Sequence, residues 1–251
     1  MDALIDIDGV SKAFDGQPVL SGVSVRVPQG GSCVILGQSG SGKTVLLKIV
    51  MGLLKADAGT VRIEGRDVGA LNESELRALR SDLGILFQSG ALFDSMTLFD
   101  NVAFPLRERR DLSEAQVVER VNDALALVRL DGHGPKFPGE LSGGMQKRAA
   151  LARAIVSRPK VMLLDEPTAG LDPTTTDVVT DELIRAKTSL GATLLCITYN
   201  LQSAFRFADS LALLHEGQIV AQASPEEFQK ADHPAVRAFL KDWKQRAKGK
   251  V

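Results

Sequence analysis

The chain has 251 residues and a formal net charge of -1 at pH 7, so its charge balance gives no reason to expect nucleic acid as a partner. Hydrophobic residues make up 44% and charged residues 24%, which is ordinary for a globular protein. No apolar run reaches the roughly 18–20 residues of a membrane span. Cys33 and Cys196 stand in apolar runs and are too few for a disulfide framework or a zinc site. We therefore expect buried free thiols, as in a cytosolic protein.

The first third of the chain predicts a hairpin followed by alternating strands and helices. Residues 4–8 and 23–27 are apolar or alternating and flank turn residues at 15–18, so they predict antiparallel strands. The elements expected next are a buried strand over 31–37, a helix over 43–54, a strand and its return over 60–68, and an amphipathic helix over 74–83.

Helical periodicity then replaces the strand pattern, as in 113–130, until strands return with 160–167. Asp172 and Pro173 favour the cap and first position of a helix. Strands over 192–198 and 210–222 precede a helical tail. We expect one domain over 1–251, divided into a core (1–88 and 159–224), a helical subdomain (about 89–158) and a tail (225–251).

The stretch GQSGSGKT (37–44) fits the phosphate-binding pattern G-x-x-x-x-G-K-[ST], with a predicted strand before it and a helix after it. Its glycines let successive N–H groups point at phosphate oxygens, and the helix N-terminus adds positive charge. Lys43 supplies a charge to the β- and γ-phosphates of a nucleotide, and the Thr44 hydroxyl is the expected Mg²⁺ ligand. The candidate nucleotide-binding residues here are Gly37, Gln38, Ser39, Gly40, Ser41, Gly42, Lys43, Thr44 and Val45.

The stretch VMLLDE (161–166) is a matching acidic strand. Asp165 lies at the expected carboxyl end of the strand and is a candidate to hold Mg²⁺ through water. Glu166 follows it and is a candidate general base that polarises the attacking water. Acidic strand ends are common, but the upstream phosphate loop makes this pair informative.

The stretch LSGGMQKRAALARAI (141–155) predicts a second anion site. Ser142 offers a hydroxyl, Gly143 and Gly144 leave the approach clear, and a long helix begins there. Because one phosphate loop already binds one nucleotide, a partner subunit best explains a second cradle.

These motifs resemble those of the ATP-binding subunits of ABC transporters, over about residues 4–224. The resemblance implies a P-loop NTPase (RecA-like) α/β core with a mainly parallel sheet, an N-terminal antiparallel β subdomain and an inserted helical subdomain. It also implies a head-to-tail homodimer that holds ATP between the phosphate loop of one subunit and the signature of the other. The implied roles are adenine stacking for Phe14, contact with Mg²⁺ and water for Gln88, an interface loop ending at Asp172, and signature contacts with the partner's ATP for Ser142, Gly143, Gly144 and Gln146.

A narrower resemblance links residues 86–108, Met145, Val45 and the segment 233–243 to the MlaF-like ATPases of Mla-type phospholipid transporters, which are associated with MCE-domain proteins. It implies transport of phospholipid between inner and outer membranes, with lipid contacted only indirectly. The expected location is the cytoplasmic face of the bacterial inner membrane, where a permease holds the subunit. An MCE-domain substrate-binding protein and a small cytoplasmic accessory subunit are implied partners.

Four phenylalanines lie near Gln88, at positions 87, 93, 99 and 104. They have two interpretations: they form the core of the helical subdomain, or they line a groove for a short helix of the permease. The second interpretation places the permease contact in the 87–104 region.

The family's strand that here covers 192–198 normally ends in Thr-His-Asp, whereas this chain has Thr198-Tyr199-Asn200. Tyr199 thus occupies the position of the switch histidine and is a third candidate catalytic residue, with Glu166 and Gln88. A tyrosine stays neutral near pH 7; it can donate to the γ-phosphate, crowd the site or point away. We expect retained ATP binding and slow hydrolysis. The alternatives left open are an ABC ATPase for another substrate, a hydrolysis-impaired nucleotide-binding subunit, and a non-transport ABC protein.

Overall fold

The computed structural model describes residues 3–248, which form two compact units. One unit combines residues 3–76 with residues 195–248, and the other comprises residues 77–194. The predicted tail 225–251 therefore ends in residues, 249–251, that lie outside the described part of the chain. No helix between residues 3 and 248 combines the length and the apolar character needed to cross a membrane.

The described residues contain ten β-strands and nine α-helices. The strands are β1 (Ala3–Phe14), β2 (Gln17–Pro28), β3 (Ser32–Leu36), β4 (Ala58–Ile63), β5 (Arg66–Asp67), β6 (Leu83–Leu86), β7 (Val161–Asp165), β8 (Thr193–Thr198), β9 (Ser210–His215) and β10 (Gln218–Ala223). The helices are α1 (Lys43–Val50), α2 (Glu73–Asp82), α3 (Leu98–Arg109), α4 (Glu114–Leu127), α5 (Gly143–Ile155), α6 (Pro173–Leu190), α7 (Leu201–Phe207), α8 (Pro225–Lys230) and α9 (Pro234–Lys248).

In the first unit, an antiparallel sheet has the strand order β2-β1-β4-β5. Alternate residues of β1 and β2 are fully buried, as Ile5, Ile7 and Val25 illustrate, so one face of the sheet packs on a core. Asp15 and Gly16 connect the two strands, both with positive φ, which is the geometry of a tight two-residue hairpin. This sheet is the predicted antiparallel β subdomain.

The same unit contains part of a mixed sheet. Strand β3 is buried along its whole length and runs parallel to β9, and β10 pairs antiparallel to the other side of β9. The hydroxyl and backbone N–H of Ser32 both donate to the Asp209 carboxylate, at 2.7 Å each. These bonds fix the start of β3 beside the start of β9, and hence the place where β3 delivers the phosphate loop.

The second unit places helices around a parallel strand pair. Strand β6 runs parallel to β7, and α5 packs against β6 and against α3, α4 and α6. The interior of α5 is mostly alanine and leucine and is buried, so the helix that begins at the signature lies at the centre of this unit. Its surroundings therefore determine where the signature lies.

The predicted α/β class and the antiparallel N-terminal strands are confirmed, as is the cap of α6 by Asp172. Cys33 and Cys196 are buried free thiols, as expected. Strand β6 was not predicted, because its four residues are too few to show a period. Helix α1 ends at Val50, four residues before the predicted end. The division into core and helical subdomain remains a prediction.

Candidate nucleotide-binding site

Lys43 is the central side chain of the phosphate loop. It is the first residue of α1 and is 7% exposed. Its ammonium donates to the backbone oxygens of Gly37 and Gln38, at 2.8 and 2.9 Å. The lysine therefore lies across the loop and brings a buried positive charge to its concave side.

The loop is shaped for a group that approaches its backbone. A Cβ on Gly37 would come within 2.6 Å of both the Leu214 backbone oxygen and the Ser41 hydroxyl oxygen, so only glycine fits there. Helix α1 starts after Gly42 without a side-chain cap. Within residues 3–248, the buried Ser41 hydroxyl oxygen has no hydrogen-bond partner. An uncapped helix start, an orphaned hydroxyl and a buried ammonium fit an anionic phosphate.

The rest of the predicted loop is accessible. Gln38, Ser39, Gly40 and Thr44 are exposed, and Val45 is half-buried. Exposure of the Thr44 hydroxyl leaves it accessible to a hydrated metal ion.

Phe14 ends β1 with its ring 43% exposed, and the Lys12 ammonium lies 5.5 Å from the ring centroid. Core packing, the alternative for an apolar ring, therefore does not describe Phe14. Its stacking on adenine stays a prediction.

The carboxylates of Asp165 and Glu166 lie together at the end of β7, 6% and 7% exposed. Glu166 has φ 47°, in the left-handed region, which costs a non-glycine residue on the order of 1 kcal/mol. The backbone thus turns sharply after Asp165. Such strained turns are concentrated at functional sites, which favours a chemical role for this pair.

The loop predicted to cross a dimer interface leads from this pair to α6. Asp172 is the N-cap of α6, and its carboxylate accepts the Thr175 backbone N–H at 3.0 Å. Hydrogen bonds from Thr175, first from its side chain and then from its backbone, lower the pKa of Asp172. The carboxylate of Asp172 therefore caps α6 within this chain, and the residue itself is exposed.

The signature begins α5. Ser142 is the N-cap and accepts the Met145 backbone N–H at 3.3 Å. The two glycines differ: a Cβ on Gly143 would meet no atom within 4 Å, whereas one on Gly144 would come within 2.3 Å of Thr175 Cγ2. Gly143 therefore leaves open space, and Gly144 permits close packing of α5 on α6.

Gln146 is engaged within the chain. Its side-chain amide donates to the backbone oxygens of Pro138 and Leu141, at 2.9 and 3.3 Å. It thus holds the short turn that precedes the signature. The contact of Gln146 with a partner's ATP remains a prediction.

Gln88 follows β6 with its side chain exposed. Its backbone oxygen accepts a hydrogen bond from the ammonium of Lys147, which is 8% exposed. Burial lowers the pKa of Lys147, and the carboxylates of Asp165 and Glu166 act in the opposite direction. Sequence reasoning missed Lys147; the available signal was a lysine within a helix otherwise rich in alanine and leucine.

Tyr199 lies at the end of β8 and is 53% exposed. Its neighbours shape the chain around it: the Thr198 hydroxyl accepts the Asn200 backbone N–H at 3.0 Å, and Asn200 caps α7 by accepting the Ser203 backbone N–H at 3.1 Å. Position 199 thus stands on a tight, well-bonded turn. Within residues 77–194, the ammonium of Lys147 donates to the Gln88 backbone oxygen, and the charges of Asp165 and Glu166 act on the same ammonium.

A glycine-rich turn between a buried strand and a helix, with a lysine folded across it, defines a phosphate-loop nucleotide-binding protein. The chain belongs to the ABC transporter family, whose sequence profile matches residues 20–169. This assignment agrees with the signature at the start of α5 and with the acidic end of β7.

Similarity to named relatives narrows the assignment within the ABC transporter family. The chain is 38% identical over 237 residues to the intermembrane phospholipid transport system ATP-binding protein MlaF of Escherichia coli, covering 94% of this chain and 88% of that protein. It is 41% identical over 240 residues to a probable ribonucleotide transport ATP-binding protein of Mycobacterium tuberculosis, covering 96% and 67%. The MlaF-like resemblance is thereby confirmed.

A solved structure supports the fold. The dimeric structure of MJ0796, a bacterial ABC transporter cassette, matches with a TM-score of 0.81 and 29% identity, covering 88% of this chain and 98% of that one. The expected P-loop NTPase fold is confirmed.

Proposed function

We propose that this chain is the ATP-binding and ATP-hydrolysing subunit of a membrane ABC transporter. The observation that carries the proposal is the buried ammonium of Lys43, held across a loop whose helix N-terminus has no side-chain cap. Such a site stabilises the β- and γ-phosphates of ATP by charge and by backbone N–H groups. Phe14 provides an exposed ring for the adenine.

Thr44, Gln88 and Asp165 are the residues we assign to Mg²⁺, because oxygen ligands suit this ion. When bound, Mg²⁺ supplies positive charge beside the phosphate oxygens. Glu166 is the proposed general base: its buried carboxylate accepts a proton from water as that water attacks. Tyr199 stands at the position of the usual histidine and has one hydroxyl in place of an imidazole, so the expected turnover is low.

Two copies are proposed to form a homodimer. The exposed Ser142 and Gly143 leave the start of α5 accessible to a phosphate bound by the other copy. Asp172 keeps its loop in place by capping α6. The dimeric state of the MJ0796 cassette supports this arrangement.

The proposed cargo is phospholipid, which is moved between the inner and outer membranes. This proposal rests on the similarity of the chain to MlaF. The subunit would then lie on the cytoplasmic face of the bacterial inner membrane, held by a permease, with an MCE-domain protein and a small accessory subunit as further partners. The likeness to a probable ribonucleotide transport protein favours the alternative of another substrate. If phospholipid is the cargo, it contacts this chain only indirectly.

The 87–104 region is the proposed permease contact. The ring of Phe93 is 41% exposed and lies 5.0 Å, centroid to centroid, from that of Phe104. A cavity of about 450 Å³ adjoins the region, with Thr97, Phe99 and Leu125 among its lining residues. The exposed ring of Phe93 and the half-buried ring of Phe99, which lines the cavity, would be covered by a short apolar helix docked there.

The proposed function is tested by two measurements: ATP turnover, and purification of the chain together with the molecules bound to it. Glu166→Gln should abolish hydrolysis while ATP still binds, because the amide cannot accept the proton. Undiminished turnover of Glu166→Gln in the assembled complex would show that the proposed base is wrong. Purification from solubilised membranes with lipid analysis should recover a permease and phospholipid. Recovery of a permease without phospholipid favours the other-substrate alternative, and recovery of neither favours a non-transport ABC protein.

A further inference from the structure

Helix α5, which starts at the signature, also holds the segment that follows β6. The ammonium of Lys147 donates to the backbone oxygen of Gln88. Six residues further along the helix, the Arg153 guanidinium donates to the backbone oxygens of Gly90 and Ala91, at 2.7 Å each. Lys147 and Arg153 of α5 therefore hold the segment from Gln88 to Ala91 at both of its ends.

The packing is close between these points. A Cβ on Gly90 would lie 3.4 Å from Ala150 Cβ, so the segment runs directly against the helix. The Arg153 guanidinium also lies 5.9 Å from the Phe93 ring centroid, where a cation is attracted to an aromatic face. The segment thus has a defined path along one side of α5.

Among these side chains, Lys147 has an ammonium whose burial is unfavourable in free energy. Burying an ammonium is unfavourable unless polar or charged groups compensate. Here the compensation comes from the Gln88 oxygen and from the carboxylates of Asp165 and Glu166, whose charges act on Lys147. A buried lysine among these three residues offsets the repulsion between two adjacent carboxylates.

We propose that Lys147 is a positioning residue for the ATPase reaction: its ammonium sets the backbone of Gln88 beside the Asp165–Glu166 pair. The inference rests on the proposed function, because Gln88 and Glu166 matter only if ATP is hydrolysed. Since the signature and Lys147 belong to one helix, movement of the signature also moves the support of Gln88. Lys147 contacts no nucleotide in this role; it acts through Gln88.

The test compares Lys147→Met, Lys147→Arg and the unchanged full-length chain, with Lys136→Met as control. Lys136 is an exposed lysine of the same unit. Lys147→Met should lower kcat for ATP by at least about 10-fold and change KM by less than about 2-fold, because ATP is held by the Lys43 loop. Lys147→Arg keeps charge and donors and should recover most of the rate. Lys136→Met should match the unchanged chain.

Hydrogen exchange provides a readout without nucleotide. Backbone amides of residues 88–93 should exchange faster in Lys147→Met and at the unchanged rate in Lys147→Arg. If Lys147→Met does not fold, Lys147→Leu replaces it, since leucine is also apolar and has no donor for the Gln88 oxygen.

The results of these experiments distinguish failure of the inference about Lys147 from failure of the proposed function. Unchanged kcat or unchanged exchange in 88–93 would overturn the inference while hydrolysis by the unaltered chain upholds the proposed function. A parallel loss of kcat, ATP affinity and thermal stability would reduce Lys147 to a structural role and also overturn it. If the unaltered chain does not hydrolyse ATP, the proposed function is wrong and the inference falls with it.

Discussion

Gly144 and Thr175 pack so closely that a Cβ on the glycine would come within 2.3 Å of Thr175 Cγ2. This contact fixes the first turn of the signature helix on the first turn of α6. Gly144→Ala should destabilise the fold by about 1–3 kcal/mol, since inserted methyl groups in close packing force shifts of that magnitude. Urea denaturation measures the change.

The matched control is Gly143→Ala, whose added Cβ meets no atom within 4 Å; its free energy of unfolding should stay near that of the unchanged chain. Adding Thr175→Ser to Gly144→Ala removes the clashing methyl group and should restore most of the lost stability. If the double variant is as unstable as Gly144→Ala, the Thr175 contact is not the cause.

Lys43→Ala should weaken ATP binding by at least about 10-fold, because the loop loses the charge that faces the phosphates. At a fixed ATP concentration, the ATP-induced rise in Tm should become smaller with it. Lys48→Ala is the control, since Lys48 is an exposed lysine of the same helix. Equal ATP affinities for Lys43→Ala and the unchanged chain would contradict the phosphate-loop assignment.

Tyr199→His should raise ATP turnover. Histidine donates to phosphate and titrates near neutral pH, whereas tyrosine stays neutral. The variant's rate should therefore gain a component that depends on pH around the ordinary histidine pKa of about 6.5. Steady-state ATPase assays across this range measure both effects. No increase at any pH would mean that Tyr199 is adequate in this position.

Glu182 should make stability depend on pH. It is fully buried in α6, and the Arg148 guanidinium of α5 lies 3.6 Å from its carboxylate. Burial raises the pKa of Glu182, while Arg148, Arg129 and Arg185 oppose the rise. The folded state therefore retains a proton that the unfolded state releases, so the free energy of unfolding falls as pH rises through the interval between the unfolded and folded pKa values.

Glu182→Gln cannot titrate and should lack this component. The measurement is the difference in unfolding free energy between the two chains at a series of pH values from about 4 to 8, which cancels the contributions of other groups. A difference that does not vary with pH would contradict the raised pKa.

Local pattern accounts for what the sequence predicted well. The phosphate loop and the signature are each contiguous, so spacing alone identified Gly37, Lys43 and Ser142. The cap of α6 was equally local, because Asp172 precedes a proline that starts the helix. Strand β6 was not predicted, because a local pattern of only four residues carries little periodic information.

Contacts distant in sequence escaped prediction. Lys147 and Gln88 are 59 positions apart, and nothing near either residue indicates the other. The different surroundings of Gly143 and Gly144 depend on α6, which only the folded unit brings to the signature. Tyr199 was identified as unusual by comparison with a family pattern.

The two cysteines have a practical consequence. Cys33 and Cys196 are both fully buried, and burial raises the pKa of Cys33 to about 11. At pH 7–8 a maleimide, which reacts with thiolate, should leave the native fold unmodified. A single cysteine introduced at an exposed site could then carry a fluorophore without removing either natural thiol, so nucleotide-driven movements of this chain can be followed in an otherwise unaltered background.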